Sequence, residues 1–219
     1  MSGVAAALSL LEARILGVLV EKQHTVPDIY PLSLNALTAG CNQKTSRDPV
    51  LHASESEVQA GIDRLRGESL VVESSGGRVM RYAHNIERAL GLPSQAVALL
   101  AAMMLRGPQT VGELRINCDR LHRFADGSAV EGFLHELQQR SAGALVAMLP
   151  RLPGARENRW MHLLSGPPVE VPVEAGATEA PGRSDALQSE IAALKQSVGE
   201  LRDEIEALKS ALSRLHRGV

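Results

Sequence analysis

Only two cysteines, Cys41 and Cys118, occur in the chain. That is too few for a disulfide framework and fits a reducing cytoplasm, with both thiols read as small buried hydrophobes. A basic excess is missing as well. The net charge is -2 and the isoelectric point about 6.4, so the chain is no general nucleic-acid coat and any polyanion site has to be local. No apolar run is long enough for a membrane span: "LSLLEARILGVLV" is interrupted by Glu12 and Arg14, and "AVALLAAMML" is about half of the ~20 residues required. There is no secretory signal, and no HExxH, CxxC, Walker loop or GxGxxG. Cys118 and His122 stand four apart at helical spacing, without neighbours to complete a metal's coordination sphere. No set of nucleophile, base and orienting group assembles. These absences predict a cytoplasmic, non-enzymatic protein with no cofactor, no metal and no membrane association.

A chain of 219 residues holds one large domain or two small ones, and charge divides it unevenly. Residues 1–92 carry nine basic and ten acidic side chains, 93–165 eight and six, and 166–219 six and nine. Only the middle part is net basic. The stretch "SGPPVEVPVEAGATEAPGRS" is rich in Pro, Gly, Ala and Glu and has no aromatic residue, the composition of a flexible linker.

Before that linker one plan occurs twice. Ser9 with Glu12 makes a capping box for a helix to about Gln23, a second helix follows "YPLS" and ends near Gly40, and Ser54 with Glu57 caps a third. Leu70–Ser74 and Arg78–Ala83 then read as a hairpin about Ser75, Gly76 and Gly77. In the second copy Pro93 and Ser94 start a helix that ends at "RGP", Thr110 with Glu113 caps the next, and a third covers Ser128–Arg140. Strands at Leu145–Leu149 and Arg159–Leu164 close the copy. Val58, Ile62 and Leu65 form one buried stripe, and Val130, Leu134 and Leu137 repeat it. Helix, helix, helix, hairpin, twice, predicts a mostly α fold with small β-hairpins (α+β): tandem winged-helix domains at 1–92 and 93–165, a linker at 166–184 and a coiled-coil helix at 185–217.

The stretches "LEARILGVLVEKQ", "YPLSLNALTAGCNQKTSRDPV", "SESEVQ", "LRGPQTVGELR" and "RENRWMHLLSG" resemble the YceH-type family of uncharacterised bacterial proteins. The resemblance covers roughly residues 10–166 and is carried most specifically by "CNQKTSRDPV". It implies a tandem winged-helix fold in the bacterial cytoplasm and no established activity or site residues, so function rests on the side chains.

The third helix of the first copy opens "SESE". In helix-turn-helix proteins the N-terminal residues of this helix approach base edges and phosphates, and glutamates there give no phosphate affinity. Capping and the helix dipole account for the acid. Opposite the buried stripe this helix presents Ser56, Ala60, Asp63, Arg64 and Gly67, with Arg64 the one strong candidate for a base contact. The matching face of the second copy presents Ser128, Gly132, His135, Glu136 and Gln139. The small residues Ala60 and Gly132 would let another helix approach, unless each face is simply solvated.

Positive charge gathers on the hairpins, with Arg78, Arg81 and His84 on the first and Arg151, Arg156, Arg159 and His162 around the second. Wings can hold phosphates or enter a minor groove, and arginines also serve to solubilise edge strands. In the loop before the third helix, Asn42, Gln43, Lys44, Thr45 and Arg47 offer many donors. They suit a phosphate or peptide backbone, or else hydrogen bonds that fold the loop itself. The candidate nucleic-acid contacts are therefore Asn42, Gln43, Lys44, Arg47, Arg64, Arg78, Arg81, Arg151, Arg156 and Arg159.

In the tail, Leu187, Ile191, Leu194, Val198, Leu201, Ile205, Leu208, Leu212 and Leu215 alternate steps of four and three. This is the heptad seam of a parallel homodimeric coiled coil, with packing back on its own domain as the competing arrangement. Two functions follow: DNA association, regulatory in character, through basic wings and the 42–47 loop, or protein docking of the kind found in the winged-helix subunits of chromosome-segregation complexes.

Overall fold

A computed structural model describes residues 7–75 and 79–167. Among the described residues are seven α-helices and five short strands in small antiparallel sheets. The first copy consists of α1 (Leu10–Thr25), β1 (Leu32–Ser33), α2 (Leu34–Cys41), α3 (Glu55–Gly67), β2 (Val71–Ser74) and β3 (Arg81–His84). A short α4 (Ile86–Leu90) leads into α5 (Ser94–Arg106), α6 (Val111–Asn117), α7 (Gly127–Gln138), β4 (Val146–Met148) and β5 (Trp160–His162).

Local chemistry explains the helix starts. Ser9, Ser54 and Thr110 each accept from the backbone three residues on, and Glu12, Glu57 and Glu113 return the bond to the cap's own N–H, satisfying donors that a helix leaves open. The third helix of the second copy starts earlier than Ser128, because Asp126 is its cap and accepts from Ala129 N at 2.9 Å. The strands of the second hairpin are shorter than expected, three residues each.

The duplication extends to single positions. Leu32 pairs with Tyr82 in the sheet order β1-β3-β2, while Gln109 bridges Trp160 beside β4 and β5. Ser33 and Thr110, the next residues, both cap a helix. Cys41 and Cys118 close those helices, each fully buried. Val71 opposes His84 in one hairpin and Val146 opposes His162 in the other.

The two copies share one hydrophobic core rather than two, and both lie in one compact unit. Its centre is α5, whose residues Ala96–Leu105 are all buried. The run "AVALLAAMML" is thus a core helix, packed against α1. Close approach requires glycine here: a Cβ on Gly17 would lie 2.9 Å from Leu105 Cγ, and one on Gly40 2.6 Å from Val18 Cγ1. Backbone also joins the copies, with Leu8 N donating to Leu164 O at 2.8 Å and Asp48 N to Leu105 O at 2.9 Å. No helix among the described residues is long and apolar enough to cross a membrane. The linker from 168 on and the heptad seam Leu187–Leu215 lie outside the described residues.

Candidate nucleic-acid interface

The 42–47 loop is organised from inside by two arginines. Arg47 donates from Nη1 and Nη2 to the Glu21 carboxylate at 3.0 and 2.6 Å and from Nε to Gly40 O at 3.1 Å, its side chain fully enclosed. Arg14, on α1 and also fully buried, donates to Cys41 O at 3.2 Å and Pro49 O at 2.7 Å. Burial raises the Glu21 pKa, but the Arg47 hydrogen bonds and charge outweigh it and hold the carboxyl below its usual range. Burial, with Arg47 nearby, lowers that of Arg14. Asn42 clasps the far side of the loop, giving Nδ2–H to Ala53 O at 2.7 Å and accepting from Ala53 N at 2.8 Å. Gln43 donates to Thr45 O at 3.0 Å and accepts from Lys22. Of the loop's candidates, Lys44 alone projects a charge into solvent without a partner among the described residues. Arg47 turns inward, because the half-buried Glu21 offers its guanidinium a bidentate acceptor.

Three further first-copy arginines also have intramolecular partners. Arg64 pairs with Glu12 at 3.0 Å, Arg66 with Glu73 at 2.9 Å, and Arg81 donates to Ile29 O and Pro31 O at 3.1 and 2.8 Å. Arg78 lies outside the described residues. Ser56, Ala60, Asp63, Arg64 and Gly67 all face solvent, as do Ser128, Gly132, His135 and Glu136 of α7 and its C-cap Gln139, so both predicted outer faces are real.

The second hairpin differs. Arg151, Arg156 and Arg159 have no side-chain hydrogen-bond or ion-pair partner among the described residues. Arg156 and Arg159 line a shallow, open cavity of about 270 Å³ with Thr110, Leu152 and Glu157. Sequence reasoning missed Arg106 and Arg120. Both lie on a polar groove of about 440 Å³ with Lys22, Gln43 and Asn117, and single arginines at the end of α5 and in the turn after α6 leave no local pattern.

Both thiols are sealed in the core, where burial pushes each pKa up to about 12. Cys118 Sγ points at Ala98 O, 3.5 Å away. The matched histidines are sealed at one ring nitrogen: Nδ1 of His84 and of His162 is buried without a partner, and His84 Nε2 meets Gln23 Oε1. Burial pulls both pKa values down to about 4, helped at His84 by the charge of His24. The unfolded chain therefore binds protons that the folded chain refuses as pH falls from about 6.5 toward 4, and stability is lost across that window. The melting temperature is expected to be lower at about pH 5 than at pH 7, with a smaller difference in His162→Gln. An equal pH dependence in that variant would exclude His162 as a cause.

Seven helices and small antiparallel sheets among the described residues define a mixed α/β protein with a basic second hairpin. The chain belongs to the family described as "Protein of unknown function, DUF480", which matches residues 8–155, from just before α1 to the hairpin tip that precedes β5. It is 60% identical over 197 residues to a UPF0502 protein of Dechloromonas aromatica (strain RCB), covering 89% of this chain and 92% of that one. It is 58% identical over 208 residues to a UPF0502 protein of Burkholderia ambifaria (strain MC40-6), covering 95% and 87%. The motifs point to an uncharacterised bacterial family, and the chain falls in one.

Proposed function

We propose that this is a cytoplasmic, non-enzymatic tandem winged-helix protein that binds duplex DNA, chiefly through the second copy. Three helices followed by a hairpin, with a third strand lent from between the first two helices, support the winged-helix reading by fold analogy. The observation that carries DNA binding is the contrast between hairpins. On and around the first hairpin Arg64, Arg66 and Arg81 have intramolecular partners, whereas Arg151, Arg156 and Arg159 have none among the described residues and are available to phosphates. Lys44 is the one residue of the 42–47 loop retained in the contact set. The test is an anisotropy titration of the full chain with a labelled duplex at low salt, and absence of binding overturns the reading.

Protein docking is the second reading, favoured by exposed apolar side chains on the first hairpin, Val79 at 58% and Met80 at 41% exposure. Open space at Gly132, where an added Cβ would meet nothing within 4 Å, also favours it. Dimerisation through the heptad seam rests on the spacing of its nine apolar residues. Light scattering is expected to show a dimer for the full chain and a monomer for Leu201→Asp, whose charge would be buried in the seam unpaired. An unchanged dimer would move the interface elsewhere.

A further inference from the structure

We propose that the tip of the β4–β5 hairpin is an apolar wedge that enters the minor groove of a duplex and kinks it, with Leu152 as the inserted side chain. This rests on the DNA-binding reading above and extends it from holding DNA to bending it.

A single exposed leucine is ordinary, but this one is mounted on a built support. Leu152 is 48% exposed. It opens a four-residue turn closed by Ala155 N donating to Leu152 O at 3.0 Å, with Pro153 second and Gly154 third at a φ of +77°. That is the residue pattern of a type II turn, in which proline presets one angle and glycine supplies the positive φ. Below the turn, Leu149 N donates to Arg159 O at 2.7 Å, carrying the ladder past β4, and Asn158 Nδ2 reaches Met148 Sδ. The tip is thus held in shape by hydrogen bonds that leave Leu152 half exposed.

Charge surrounds that side chain. Arg151 precedes it, Arg156 and Arg159 follow, and Glu157 is the one acid among the cavity's lining residues, leaving the tip net positive. An apolar wedge between phosphate-seeking arginines is what minor-groove benders use, because unstacking a base step is offset by the wider contact that a bent duplex permits. The narrow, electronegative groove of A·T-rich DNA attracts inserted arginines further. A protein-binding hairpin has no need for three free arginines around one leucine, so the surface favours DNA.

The test uses the full chain and a duplex of about 30 base pairs with an A·T-rich centre and fluorophores at its ends. Binding is read by anisotropy and bending by energy transfer. Wild type should bind and raise energy transfer, the kink lying in the range of about 20–90°. Leu152→Ala should bind within about threefold of wild type, since its phosphate contacts remain, yet show no rise in transfer. Leu152→Met, which keeps a long apolar side chain, should restore it. The wedge is overturned if wild type binds without bending, or if Leu152→Ala bends DNA as wild type does. If the chain binds no duplex at all, the DNA-binding reading falls together with the wedge, and Leu152 is left to contact with a protein.

Discussion

Glu21→Ala is expected to lower stability by about 3–5 kcal/mol, the usual result of breaking a buried ion pair from one side. The cause is the partner left behind. Arg47 has a side chain fully enclosed by protein, and Glu21 supplies both of its close carboxylate contacts, at 3.0 and 2.6 Å. Without that carboxylate the guanidinium keeps Gly40 O and Ser46 O but is a buried charge with no counter-ion, and Arg14 nearby is another. Urea denaturation gives the measurement. Adding Arg47→Met should recover most of the loss, because the long apolar side chain leaves no unpaired charge enclosed in the protein. A loss below about 1 kcal/mol for Glu21→Ala would place the pair with ordinary surface salt bridges. The pair has a pH signature too. Because the folded Glu21 pKa lies below 4.5, its contribution is present above that pH and is lost as pH falls through the folded value.

Much of the architecture was legible because it rests on short-range rules. Capping boxes at Ser9, Ser54 and Thr110 announce their helices from residues three apart, and the stripes Val58, Ile62, Leu65 and Val130, Leu134, Leu137 are fully or almost fully buried. β1 was not legible, since two residues cannot show an alternation; its existence depends on Tyr82, fifty residues later in the chain. The 42–47 loop misleads for a related reason. A string of polar donors looks the same whether it awaits a ligand or folds itself, and the acceptors that decide the matter, Glu21 and the carbonyls of Gly40 and Ala53, are distant in sequence or in the backbone. Arg64 and Arg81 are similar cases, paired with Glu12 and with the carbonyls of Ile29 and Pro31. Exposure of Arg151 and Arg156 was legible, because the Pro-Gly turn between them marks a tip whatever the rest of the fold does.

That contrast between paired and free arginines sets the largest expected effect on binding. Replacing Arg151, Arg156 and Arg159 together with Ala should weaken binding to every duplex and reduce the salt slope by up to ~0.9 for each phosphate no longer neutralised, so by almost three if all three touch phosphate. Replacing Arg64, Arg66 and Arg81 together should leave the slope nearly unchanged. Those side chains neutralise Glu12, Asp63 and Glu73 or hold backbone carbonyls, and removing them should instead lower the melting temperature. Net charge changes equally in the two triple variants, so a general electrostatic attraction would predict equal losses. Site-specific binding predicts that one variant loses DNA and the other loses stability. The measurement is the slope of log binding constant against log salt for wild type and both variants, with thermal melts in parallel. Equal slopes for the two variants would assign the affinity to diffuse charge rather than to the second hairpin. A larger loss in the first-copy variant would move the interface to the face of α3, where Ser54, Glu55 and Glu57 stand at the positive end of the helix, and the acid there would then have to accept from a base edge rather than serve only as a cap.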